Sequence, residues 1–175
     1  MNITVLNGSP RVNGNTEIMV KEFAKGAEEN GHKVDIINLA GKKVAGCLGC
    51  QYCFTHDGNC VQKDDMQEIL ANLDQTDLVV FASPIYWFDI TGQLKCVIDR
   101  LYARARKGFH FNKVILLLDS ASEGVYDAAI AQYKGTVAYL QWEDKGIITI
   151  SGMGEKGSMK DSPKLKEVYE LAKSL

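Results

Sequence analysis

The stretch VLNGSPRVNGNTE, residues 5–17, carries a short apolar strand into a loop of small and polar residues and then into a helix. Gly8 and Gly14 permit sharp backbone turns close to a ligand. The N–H groups that open the helix, aided by its dipole, favour an anion there. Ser9, Asn15 and Thr16 add short side-chain donors, and Arg11 adds a positive charge. The loop lacks the Gly-Lys-Ser/Thr ending of a nucleoside-triphosphate site and the G-x-G-x-x-G of a dinucleotide fingerprint. It reads as a site for one phosphate. A plain helix start capped by Asn15 or Thr16 is the alternative.

Beyond this loop, strands and helices alternate. Apolar, β-branched runs occur at Ile3–Leu6, Val34–Leu39, Leu78–Ala82, Val114–Leu118 and Ile147–Ile150. Helical patterns separate them: about Glu17 to Asn30, a segment opening at Asp64 or Asp65 with Met66, Ile69, Leu70 and Leu73 inward, Gly92 to Ala105, Gly124 to Trp142, and Pro163 to Ser174 with Ser162 as cap. This alternation predicts an α/β fold of three layers, a doubly wound five-stranded parallel sheet covered on both faces. The common order for such a sheet is 2-1-3-4-5, with ligands bound beyond the strand C-termini between strands 1 and 3. The phosphate loop follows strand 1. The loop after strand 3, SPIYWFDITG at 83–92, places Tyr86, Trp87 and Phe88 beside it. Three successive aromatics cannot all point inward, so a flat conjugated ligand with a phosphate tail suits the pair of loops.

The chain has 175 residues, 46% hydrophobic and 24% charged, with a formal net charge of -2. That size predicts one domain over 1–175, and the balance of charge points away from nucleic acid and anionic membrane. The N-terminus lacks a signal-peptide pattern and no apolar run reaches spanning length, so a cytoplasmic protein is expected. Five cysteines are unusual in that setting, and four of them, Cys47, Cys50, Cys53 and Cys60, form C-x₂-C-x₂-C-x₆-C within one long connection. Three readings stay open: a four-iron cluster on four thiolates, a zinc site with His56 as a spare ligand, or thiol chemistry without metal.

Other features carry structural readings. Asp64 with Gln67, or Asp65 with Glu68, fits a capping box. Lys95 and Asp99 are spaced for a helical ion pair. Arg104, Arg106 and Lys107 suit a helix C-terminus, and Cys96 reads as core. His32 and His110 have no ligand-like company in the sequence.

Taken together, GSPR…GNT, C-x-G-C-x-x-C, DDM, SPIYW, LKCVIDR and GIITISGMGEKG resemble the flavodoxin-like NADPH-dependent FMN reductases, including the branch that contains iron–sulfur flavoproteins. The resemblance implies a flavodoxin-like fold and an FMN whose phosphate is held by Ser9, Arg11, Asn13, Asn15 and Thr16. Pro84, Ile85, Tyr86 and Trp87 would border the isoalloxazine. The loop from Ser120 through Ser122 to Gly124 would close its other side. NAD(P)H is the implied electron donor and a quinone, flavin or other small molecule the acceptor, in a homodimer or homotetramer. A 4Fe-4S cluster on Cys47, Cys50, Cys53 and Cys60 would make the protein an electron carrier. A flavin-binding regulatory protein without steady turnover is the remaining alternative.

Overall fold

The computed structural model describes residues 1–175. Its central sheet has five parallel strands in the order β2-β1-β3-β4-β5. They are β1 (Asn2–Asn7), β2 (Lys33–Asn38), β3 (Leu78–Pro84), β4 (Lys113–Asp119) and β5 (Glu143–Ile150). The order expected from the alternation is the one observed. β3, LVVFASP, is buried along its whole length, and β4, KVILLLD, is buried after its first residue. Continuous apolar runs are what inner parallel strands require, because helices cover both faces. The edge strands β2 and β5 are only partly buried.

One face of the sheet packs on α1 (Asn15–Glu29) and α6 (Leu165–Lys173), around Ile3, Val5, Met19, Phe23 and Val168. The opposite face packs on α3 (Met66–Leu73), α4 (Gly92–Arg100) and α5 (Asp127–Leu140), around Leu6, Ile69, Phe81, Leu94, Leu116 and Trp142. A single turn of helix, α2 (Tyr52–Thr55), lies in the cysteine-bearing connection and has no buried residue.

Several boundaries differ from the sequence reading. Helix α1 starts at Asn15 with Gly14 as its cap residue, so neither Asn15 nor Thr16 caps it. α4 tightens into a 3-10 turn over Leu101–Arg104 instead of running on as α-helix. α6 starts at Leu165; Ser162 accepts from the Leu165 N–H in a turn with Pro163 second, the place where its fixed φ suits a turn. The capping boxes proposed for Asp64 and Asp65 are absent. Asp64 accepts the Met66 N–H at the start of α3 and forms a two-pronged ion pair with the buried Arg100, and Asp65 accepts from the Lys43 N–H. Arg104 does not merely complement a helix end: it forks onto the Asp74 carboxylate at 2.8 and 2.7 Å. Lys95 and Asp99 pair at the surface as their spacing suggested.

Helices α1 and α6 approach each other at Gly26, where an added Cβ would overlap the Tyr169 carbonyl oxygen and press on Ala172. Gly26→Ala should therefore destabilise the fold by on the order of 1–3 kcal/mol through overpacking. Alanine is the better helix former by about 1 kcal/mol, so a lowered urea midpoint at unchanged m-value isolates the packing cost.

Candidate functional site

At the C-terminal edge of the sheet, three loops are drawn together by buried hydrogen bonds. The Gly8 N–H donates to the Ala82 carbonyl at 2.8 Å, and the Thr91 hydroxyl donates to the Gly8 carbonyl at 2.7 Å. Glycine is required there: a Cβ would stand 2.8 Å from the Leu94 Cβ and 2.9 Å from the Thr91 Oγ1. Thr91 also donates its N–H to the Ser83 hydroxyl at 3.0 Å, fixing the start of α4 against the end of β3. These contacts set the phosphate-type loop beside the aromatic loop, at the β1/β3 switch point.

Between the loops lies an open cleft. Ser9, Arg11, Asn15 and Thr16 line one side, Pro84, Ile85 and Tyr86 another, and Asp119, Ser120 and Ala121 the floor and far wall, with Met153 and Gly154 at the margin. Gly14 offers no side-chain acceptor to the first turn of α1, so the N–H groups of that turn lack an internal cap. Uncapped N–H groups beside a cationic side chain are complementary to an anion. The Asn15 carboxamide is fully engaged elsewhere. It donates to the carbonyls of Met153 and Glu155 and accepts from the N–H groups of Gly157 and Met159, tying the 153–159 segment to α1. Thr16 donates its hydroxyl to Asp119 Oδ1 at 2.6 Å. Ser120 donates to the Ser122 carbonyl and is hydrogen-bonded to the Tyr126 hydroxyl at 2.6 Å.

Asp119, the last residue of β4, is 4% exposed. Burial pushes its carboxyl up to about 6, against the opposing pull of the Thr16 hydroxyl and the Arg11 charge. Sequence reading missed this residue, along with Met153 and Gly154; Ala121 falls inside the expected 120–124 loop. The available signal was an acidic side chain ending an otherwise apolar buried strand at the ligand edge.

Four residues expected at the site stand outside the cleft lining. Asn13 faces the open groove between α1 and Lys156–Lys160. Ser122 and Gly124 lie in the exposed part of the 120–124 loop. Trp87 is 95% exposed. It occupies, with Phe88, the tip of a tight turn closed by reciprocal backbone hydrogen bonds between Tyr86 and Asp89. Both tip residues have positive φ, +49° and +67°, the combination a two-residue turn of this twist demands. Bulky side chains rarely adopt it, and the rings are thereby turned out into solvent.

The four clustered cysteines are all free thiols on the 47–60 segment. The Cys53 thiol is pushed up, first by burial and then by the neighbouring sulfurs of Cys60, Cys47 and Cys50. No three of the chain's His, Cys, Asp or Glu side chains converge as a ready set of metal ligands.

The position of Asp119 gives a pH-dependent stability. Its folded pKa lies above the ordinary carboxylate value, so the native state holds this proton more tightly than the unfolded chain. Its contribution is therefore increasingly unfavourable as pH rises from about 4 through about 6. Asp119→Asn should gain stability over the parent by little at pH 4 and by up to roughly 3 kcal/mol above pH 7. Melting temperatures of both proteins across that range check it: the gap should widen with pH and then level off.

Comparison with known proteins agrees with this geometry. An iron-sulfur flavoprotein of Archaeoglobus fulgidus is 39% identical over 94 residues, covering 54% of this chain and 42% of that protein. A second iron-sulfur flavoprotein of the same organism is 30% identical over 152 residues, covering 86% of this chain and 75% of its own length. The chain spans about half the length of several curated relatives it matches, 42% to 52% for three of them. Among solved structures, an NAD(P)H:quinone oxidoreductase from Methanothermobacter marburgensis superposes with a TM-score of 0.74 at 18% identity. That alignment covers 99% of this chain and 96% of the other. The family model described as NADPH-dependent FMN reductase matches residues 1–142, and with the flavodoxin-like sheet and its cleft this chain belongs to that family.

Proposed function

We propose that the protein is an FMN-dependent NAD(P)H oxidoreductase that reduces a quinone, a free flavin or another small acceptor. The observation that carries this reading is the meeting, in one cleft, of an uncapped helix start and Arg11 with the partly apolar edge Pro84–Tyr86. FMN, when bound, supplies the hydride and electron chemistry through its ring. The chain's part is to bind and orient it. The first-turn N–H groups of α1, Arg11 and the Ser9 hydroxyl suit the phosphate; Asn15 and Thr16 act there through their backbone, because their side chains are engaged. Pro84, Ile85 and Tyr86, with Ser120 and Ala121 opposite, suit the ring. No side chain in the cleft needs to transfer a proton to the substrate in this scheme. Free thiols throughout suit a reducing, cytoplasmic setting. The outward Trp87 and Phe88, beside the cleft, support a homodimer or homotetramer that covers them.

A second reading is favoured by the four neighbouring cysteines and by relatives named iron-sulfur flavoproteins: a 4Fe-4S cluster on Cys47, Cys50, Cys53 and Cys60, and a role in electron carriage. The thiols do not form a closed ligand set as they stand.

Arg11→Ala should weaken FMN by on the order of ten-fold while leaving riboflavin affinity nearly unchanged, since only the former has the phosphate. In anaerobic titrations NADPH or NADH should bleach the bound flavin, and a quinone should restore it. Bound flavin that neither nucleotide reduces would favour a carrier or regulatory protein instead.

For the cysteines, anaerobically purified protein should contain about four iron and four labile sulfide per chain if the cluster is present. Cys50→Ala should then lose the brown colour and keep the flavin, which binds on other connections. A colourless site with one metal would indicate zinc, and metal-free yellow protein would leave thiol chemistry alone.

A further inference from the structure

Asp119 joins the two halves of the cleft. Through its side chain it touches the phosphate side, accepting from Thr16 on α1. Through its backbone it touches the ring side: it pairs in register with Pro84 and accepts the Ile85 N–H at 2.8 Å. A flavin that places its phosphate at Arg11 and its ring at Pro84–Tyr86 must pass the connecting polyhydroxyl chain across this residue.

The carboxylate is only half used. Thr16 holds Oδ1, whereas Oδ2 has no partner in the protein. It is also not a sealed atom, for Arg100 Nε is the one fully buried side-chain nitrogen or oxygen that lacks a partner. Oδ2 therefore opens on the cleft that Asp119 lines. A carboxylate oxygen is an acceptor, complementary to a hydroxyl and repulsive to a phosphate. The neighbouring hydroxyls of Thr16 and Ser120 already donate within the protein, so Asp119 is the strongest free acceptor along that wall.

We propose that Asp119 recognises the polyhydroxyl chain of the flavin, its free Oδ2 accepting a hydrogen bond from a ribityl hydroxyl. Thr16 is the positioning residue that turns the carboxylate for this contact. This inference rests on the flavin reading and goes beyond it by assigning what distinguishes a ribityl flavin from one with a plain alkyl chain.

The test measures binding by flavin fluorescence with three probes: FMN, riboflavin, and a flavin phosphate whose ribityl is replaced by an unhydroxylated pentyl chain. The parent protein at pH 7.5 should prefer FMN over the alkyl analogue by on the order of ten- to a hundred-fold. Asp119→Ala should bind the two about equally. Should the alanine variant lose its fold, Asp119→Asn, which keeps the side-chain shape, takes its place, and its preference should shrink by about ten-fold or more. A folded variant that keeps the parental preference overturns the assignment, as does a parent that fails to distinguish FMN from the analogue. Asp119→Asn that tightens FMN but not riboflavin also overturns it, placing the carboxylate against the phosphate. Absence of saturable binding of both FMN and riboflavin by the parent sinks the flavin reading itself, and this inference with it.

Discussion

The ligand edge of this protein depends on the bare backbone of Gly8. Its N–H bonds the Ala82 carbonyl of β3, its carbonyl accepts from the Thr91 hydroxyl in the connection after it, and no side chain larger than hydrogen fits between the loop and Leu94. Parallel strands β1 and β3 bring two loops near each other. The Gly8 contacts make that nearness a fixed relation rather than an average one. Thr16 to Asp119 then adds β4, and Asn15 adds the 153–159 segment. Four connections that are far apart in sequence thus form one rigid rim, in which the start of α1 is aimed at the cleft. Pre-organisation of this kind lowers the ordering cost of binding.

A different solution holds the cysteine-bearing connection. Between β2 and α3 the chain has a single turn of helix and few buried residues, too little apolar surface to anchor itself. Two buried arginines from α4 and the following 3-10 turn do it instead. Arg100 bonds the Ala45 carbonyl and the Asp64 carboxylate, and Arg104 bonds the Gly58 carbonyl and the Asp74 carboxylate. Each guanidinium fork satisfies an acid and a loop carbonyl together, a geometry that lysine cannot reproduce. Such buried pairs contribute less to net stability than to position. Removing one partner would leave an uncompensated charge, which is the costly event. The thiols therefore stand on a segment held at Ala45, Gly58 and Asp64, with Cys47 and Cys50 exposed and Cys53 and Cys60 half-buried.

The aromatic loop combines both ideas. Its base, Pro84 and Ile85, is fixed by the sheet, while its tip is forced into left-handed backbone at Trp87 and Phe88. Unfavourable backbone at two bulky residues persists only where neighbouring contacts impose it. Here the reciprocal Tyr86–Asp89 hydrogen bonds and the adjacent start of α4 do so. The consequence is a firm inner wall and an outward aromatic point, both within one loop of the cleft.

Much of this was legible in the sequence because it depends on local physics. Short, β-branched apolar runs such as Leu78–Ala82, alternating with helical patterns, read as inner parallel strands and lead to the 2-1-3-4-5 sheet. The small, polar make-up of residues 8–16 ahead of a helix start is likewise a local feature. What sequence alone left open were pairings between distant side chains. Asp64 and Asp65 have the spacing of capping residues, and only the packing of α4 against the 45–64 connection turns Asp64 into the partner of Arg100. Asn15 and Thr16 have the composition of phosphate ligands, but tertiary contacts engage their side chains with the 153–159 segment and Asp119. Trp87 has the look of a pocket wall, and a two-residue turn points it away. Periodicity and composition report whether a residue is near water or core. They carry no information on which buried acid meets which buried donor, because that is decided by chain segments tens of residues apart being folded to within 3 Å of each other.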